Sequence, residues 1–128
     1  MLTPSNLQGV TTTRVRGCLV VTLPQDLSSA LDEIRDVVLA GVRNAGAKAV
    51  VLELSAVRVM DCFEFDALRA MVEMARMLGA RPVLVGLSPG IVAYLVNNNA
   101  NTRGLEVERG LEDALDRIEG RGAQEALQ

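Results

Sequence analysis

Apolar residues along this chain fall into two spacings, one of about two residues and one of about three and a half. Cys18 to Leu23, Ala49 to Leu54 and Pro82 to Val85 are short continuous apolar runs, the pattern of strands covered on both faces. Val10 to Arg16 alternates more loosely around Thr11, Thr12 and Thr13 and suits an edge strand, with Gly17 marking a tight turn into the next run. Between these runs the spacing turns helical. Leu27, Leu31, Ile34, Val38 and Val42 make one buried stripe, with Asp26 as its predicted N-cap and Asn44-Ala45-Gly46 as its stop. Ser88-Pro89 predicts another helix start, with Ile91, Tyr94 and Leu95 on its buried face, ended by the Asn97 to Asn101 cluster. Leu105 to Val107 reads as a short last strand. Leu111, Leu115 and Ile118 then give a closing helix. The order β-β-α-β-α-β-α-β-α predicts an α/β fold: a mixed, mostly parallel sheet of about five strands packed with about four helices. All 128 residues form one domain, its core about 10–119, with flexible tails at 1–9 and 120–128.

The longest helical pattern runs from Cys62 to about Leu78. Asp61 with Glu64 three residues later is a capping-box pattern, and it puts Cys62 in the first turn, at the positive end of the helix dipole. Leu68, Met71, Val72, Ala75 and Leu78 form one apolar face, and Asp66, Arg69, Glu73 and Arg76 a narrow charged stripe. Phe63, Ala67, Ala70, Met74 and Met77 add a second apolar row. Such a row either sits deep in the core or faces another protein, a use that adaptable Met side chains suit. In sheets of this kind function gathers beyond the carboxyl ends of the strands, where the loop from Ser55 to Asp61 and the Leu87-Ser88 corner both fall.

Composition narrows the chemistry. Aliphatic residues must build the core, since aromatics make up only 2%. A formal net charge of -3 argues against nucleic acid as the main partner. No apolar run is long enough for a membrane span, and no secretory signal is visible, so a cytoplasmic protein is expected. The absence of histidine removes the Ser-His-Asp and Cys-His mechanisms and the commonest zinc ligand. The two cysteines, Cys18 and Cys62, have no metal spacing, and Gly-rich phosphate loops are absent. No cofactor, no metal site and no enzymatic activity are expected.

The segment LELSAVRVMDCFEFDALRAMVEMARMLGARPVLVGLSPGIVAYLV resembles the STAS domain, the fold of anti-sigma factor antagonists, and within it the RsbS-type stressosome scaffolds. The matching features are the strand ending at Leu54, the Met60-Asp61-x-Phe63 corner, Arg76-Met77-Leu78-Gly79-Ala80, and Val83-Leu84-Val85-Gly86 followed by Ser88-Pro89. The likeness extends over roughly Val10 to Ile118, and a bare STAS domain suits that branch. The resemblance implies a non-enzymatic scaffold that self-associates as a dimer and in a large shell with RsbR-like STAS paralogues. It sequesters an RsbT-like serine/threonine kinase, and a phosphatase resets the system. The alternative is a stand-alone anti-sigma factor antagonist that binds an anti-sigma kinase. Asp61, Phe63, Glu64, Met74 and Met77 become the expected partner-binding residues.

In that family the kinase phosphorylates a serine directly after the corner aspartate, and here that position is Cys62. A thiol is not a normal substrate for such a kinase. Three explanations stay open: the position is never phosphorylated, another site such as Ser55, Ser28 or Ser29 serves, or the residue was engineered. Cys62 also reads as a small-residue replacement or a redox sensor. Asp61 reads as a cap, with a second role in kinase recognition.

Overall fold

The computed structural model describes residues 9–127, with side chains through residue 120. The lead-in expected over residues 1–9 therefore lies outside the described residues except for Gly9.

Five strands form one sheet: β1 (Thr11–Val15), β2 (Cys18–Thr22), β3 (Ala49–Glu53), β4 (Arg81–Val85) and β5 (Val107–Glu108), in the order β1-β2-β3-β4-β5. β1 runs antiparallel to β2, and every other pairing is parallel. The hairpin between β1 and β2 closes through two residues of positive φ, Arg16 at 52° and Gly17 at 78°. That is the turn whose twist matches the strands it joins.

Each strand splits its apolar residues between two faces, as a pleat of period two requires. Leu19, Val21, Val50, Leu52 and Leu84 face one side and pack with Ile34, Val38, Phe65, Leu68, Ile91 and Leu95. Those partners come from α1 (Leu31–Leu39), α2 (Cys62–Met77) and α3 (Pro89–Asn97). Val20, Val51, Val83 and Val85 face the other side against Ala114, and Cys18 and Ala49 against Leu115. Both of these helical partners belong to α4 (Leu111–Leu127). Three parallel crossovers on one face and one closing helix on the other explain why the central strands read as unbroken apolar runs. Burial pushes the Cys18 thiol above its ordinary value of 9.0, against an opposing pull from Lys48. Cys18 is a core residue, as its place in a strand predicts.

The elements depart from expectation at five places. Asp26 is not a side-chain cap: Ser28–Ala30 winds as a single 3-10 turn before α1, and only the Asp26 carbonyl is engaged, accepting from Ser29 Oγ. α1 ends in a wide turn over Ala40–Asn44, where the Gly41 backbone lies against Leu19 and leaves no room for a side chain. Leu78 is exposed rather than on the apolar face, because α2 ends at Met77 and Leu78 leaves the helical path. Tyr94 is 43% exposed, since the buried stripe of the nine-residue α3 is Ile91 and Leu95, four apart. The last strand starts two residues late. Leu105 is drawn down onto the core, and Glu106 turns its carboxylate to the Arg81 guanidinium in a two-pronged ion pair of 2.6 and 2.8 Å. The closing helix begins after Gly110, and its backbone continues to Leu127, through most of the segment expected as a tail.

Candidate functional site

The corner after β3 is built from its cap outward. Asp61 has extended backbone and its Oδ1 accepts from the Glu64 N–H at 2.7 Å, while the Asp61 N–H donates to Glu64 Oε1 at 3.0 Å. The capping box is therefore complete, an arrangement in which the Ncap side chain alone is worth about 1 kcal/mol. The second oxygen of Glu64, Oε2, accepts from Ser28 Oγ, so the same carboxylate ties the start of α2 to the turn ahead of α1. Sequence spacing reveals the box but not this third link, which joins residues 36 positions apart.

The loop leading to the cap behaves as an anchored arch. Val57 and Met60 are buried, whereas Arg58 is exposed and Val59 is 76% exposed. The sequence carried a signal for this, an apolar-charged-apolar-apolar run, but treating residues 55–60 as plain loop passes over Val59. Val59 borders two shallow grooves on either side of the corner. One is an open groove of about 430 Å³ lined by Arg58, Val59, Met60, Asp61, Gly90, Ile91 and Tyr94, between the arch and the start of α3. The other runs past Gln25, Asp26, Leu27 and Glu64. Ser88 caps α3 as predicted, its Oγ accepting from the Ile91 N–H at 3.2 Å. The two loops at the carboxyl ends of β3 and β4 thus meet. The sheet order never reverses, so no switch-point crevice opens between them. What the geometry offers is a surface rather than an enclosed cleft.

Cys62 is half-buried in the first turn of α2 and Phe63, beside it, is 75% exposed. Met77, at the far end of the helix, is 85% exposed. Fourteen residues of helix place these two apolar side chains about 21 Å apart. The row between them is uneven. Ala70 is exposed, but Ala67 and Met74 are half-buried along a groove shared with Leu31, Asp32 and Arg35 of α1. Phe65, two positions from Phe63 and absent from both predicted rows, is only 2% exposed and is the largest fully buried side chain.

The charged stripe on α2 is structural. The Arg69 guanidinium donates to the Arg103 carbonyl at 2.8 Å and that of Arg76 to the Gly104 carbonyl at 2.9 Å, so both hold the loop between α3 and β5. The three candidate serines are all exposed, and each is engaged. Ser28 donates to Glu64, Ser55 Oγ donates to Glu53 Oε2, and Ser29 donates to the Asp26 carbonyl. Ser28 and Ser55 therefore sit against carboxylates that would repel an added phosphate. Among the described residues no helix is long and apolar enough to cross a membrane.

The family model for the STAS domain matches residues 10–114. A comparison with curated proteins finds no match. Among solved structures, a serine-to-glutamate variant of RsbS from Moorella thermoacetica is similar at TM-score 0.78 and 23% identity, over 90% of this chain and 98% of that one. A chain from the molecular architecture of the stressosome, described as a signal integration and transduction hub, follows at 0.76 and 23%, over 88% and 98%. The anti-sigma factor antagonist SpoIIAA in its unphosphorylated form gives 0.66 and 17%, over 88% and 99%. At such identities the structures speak for the fold. The family model spans most of the chain, and with the five-stranded mixed sheet and its four helices it shows that the protein belongs to the STAS domain family.

Proposed function

We propose that this chain is a non-enzymatic, RsbS-like stressosome scaffold of the cytoplasm. It co-assembles with RsbR-like STAS paralogues and sequesters an RsbT-like serine/threonine kinase. The observation that carries the reading is the exposure of Phe63 directly beside Cys62, at the position where relatives of this type carry their phospho-acceptor. An aromatic side chain left in water gives up roughly 1.5–3 kcal/mol of burial that a partner can restore. The likeness to the RsbS structure over nearly its whole length supports the same reading.

Asp61, Phe63 and Glu64 form the corner presented to the kinase, and Met74 and Met77 extend it along α2. In a serine-bearing relative, phosphorylation adds nearly two negative charges at a helix N-terminus. The dipole favours them, while Asp61, Glu64 and Asp66 oppose them. With Cys62 in place the domain stays in its uncharged, kinase-holding state.

Size-exclusion chromatography with light scattering tests the proposal against its alternative. Mixed with an RsbR-like paralogue, a scaffold elutes as a particle of megadalton order. An anti-sigma factor antagonist remains a monomer or dimer in the same mixture and binds an anti-sigma kinase alone.

A further inference from the structure

The two edges of the sheet are finished differently. β5 is two residues long, carries Glu108 and is flanked by Glu106, with Arg81 and Arg117 paired against these carboxylates. A short, charged edge of this kind resists pairing with another strand. β1 is as long as the central strands, pairs with β2 in unbroken register, and contains neither proline nor bulge. Its two neighbouring charges are both turned onto their own chain. The Arg14 guanidinium reaches the Ala45 carbonyl at 3.4 Å, and Arg16 pairs with Glu119 at 2.8 Å. Among the described residues nothing is hydrogen-bonded along the outer edge of β1.

The two-residue turn fixes which backbone groups that edge presents. Val15 and Cys18 close the hairpin, so Val15, Thr13 and Thr11 bond inward to β2, and the N–H and C=O groups of Thr12 and Arg14 point out. We infer that β1 is a self-pairing edge, and that its partner is β1 of a second copy of this chain, running antiparallel about a twofold axis at Thr13. In that register Thr12 of each copy lies opposite Arg14 of the other, and the two pairs exchange four backbone hydrogen bonds. Thr13 faces Thr13 at the centre, a pairing strands tolerate well. Centring the axis on Arg14 would oppose two like charges, which disfavours that register. The result is a continuous ten-stranded sheet with isologous symmetry. A contact this narrow falls below the standard interface, so the dimer is a weak one.

Edge pairing rests on the scaffold reading proposed above and gives a site to the self-association that the resemblance implies; it is read on this chain alone, so its failure leaves co-assembly with paralogues standing. Sedimentation equilibrium of the full chain across a concentration series reaching millimolar should fit a monomer–dimer equilibrium. Thr12→Pro removes an outward donor without touching the bonds to β2 and should raise the dissociation constant at least tenfold, while Thr12→Val, which keeps the N–H, should leave it unchanged. Hydrogen exchange on the unmodified chain supplies a reading that needs no variant. The Thr12 and Arg14 amides should slow as concentration rises, with Thr13 and Val15 constant. A monomer at every concentration, a dimer indifferent to Thr12→Pro, or Thr12 and Arg14 amides protected equally at all concentrations would each overturn the pairing. The last would assign the edge to another segment of the same chain.

Discussion

Phe63 and Phe65 are the chain's only phenylalanines, two positions apart on one helix turn, and they meet opposite fates. A two-residue step on a helix rotates about 200°, so one ring points into the front core and the other into solvent. Phe65→Ala should cost about 3–5 kcal/mol in urea unfolding, because it empties a packed site. Phe63→Ala should change stability by less than about 0.5 kcal/mol. Similar losses from both would mean that Phe63 is part of the core after all. Cys62 is a second residue-scale question. If the proposed function holds, Cys62→Ser supplies a hydroxyl where serine-bearing relatives are phosphorylated, and a cognate RsbT-like kinase should then incorporate radiolabelled phosphate well above the level in the unmodified chain. Equal incorporation in both would place the acceptor elsewhere, at Ser55, Ser28 or Ser29.

At the scale of elements, the sequence exposes what is local and hides what is not. The capping boundary of α2, the Ser88 cap and the hairpin at Gly17 were all legible, because each depends on residues within four positions. The missed features are long-range. Nothing near Asp26 announces that Ala30 will be buried beside the expected Leu27, with a 3-10 turn ahead of α1. Nothing near Leu105 shows that Arg69 and Arg76 will hold the preceding loop and delay the last strand. Gly41 belongs to the same class: it reads as a weak helix residue until Leu19 is found beside it. A Cβ there would sit 2.3 Å from Leu19 Cδ2. Gly41→Ala should therefore destabilise the fold: overpacking costs about 1–3 kcal/mol, against about 1 kcal/mol returned by better helix propensity. Combining it with Leu19→Ala should show a favourable coupling of at least about 0.5 kcal/mol in a double-mutant cycle, whereas strict additivity would mean that the two residues do not meet.

For the whole molecule, one arrangement decides what the surface can do. Helices cover both faces of the sheet, so the apolar strands are spent on the core, and the sheet order opens no switch-point crevice. Among the described residues the most exposed large apolar side chains are Val59 on the arch, Phe63 at the corner and Met77 at the far end of α2. Sequence periodicity marked the Phe63, Met74 and Met77 row but could not say which members α1 would half-cover, because that depends on how two distant helices pack. The site was thus legible as a helix and only partly as a surface. The direct test is calorimetric titration of an RsbT-like kinase into the unmodified chain and into Phe63→Asp, with urea unfolding of both proteins alongside. The account predicts matched unfolding midpoints and at least a tenfold loss of affinity in the variant. Undiminished binding by a folded Phe63→Asp protein would contradict it.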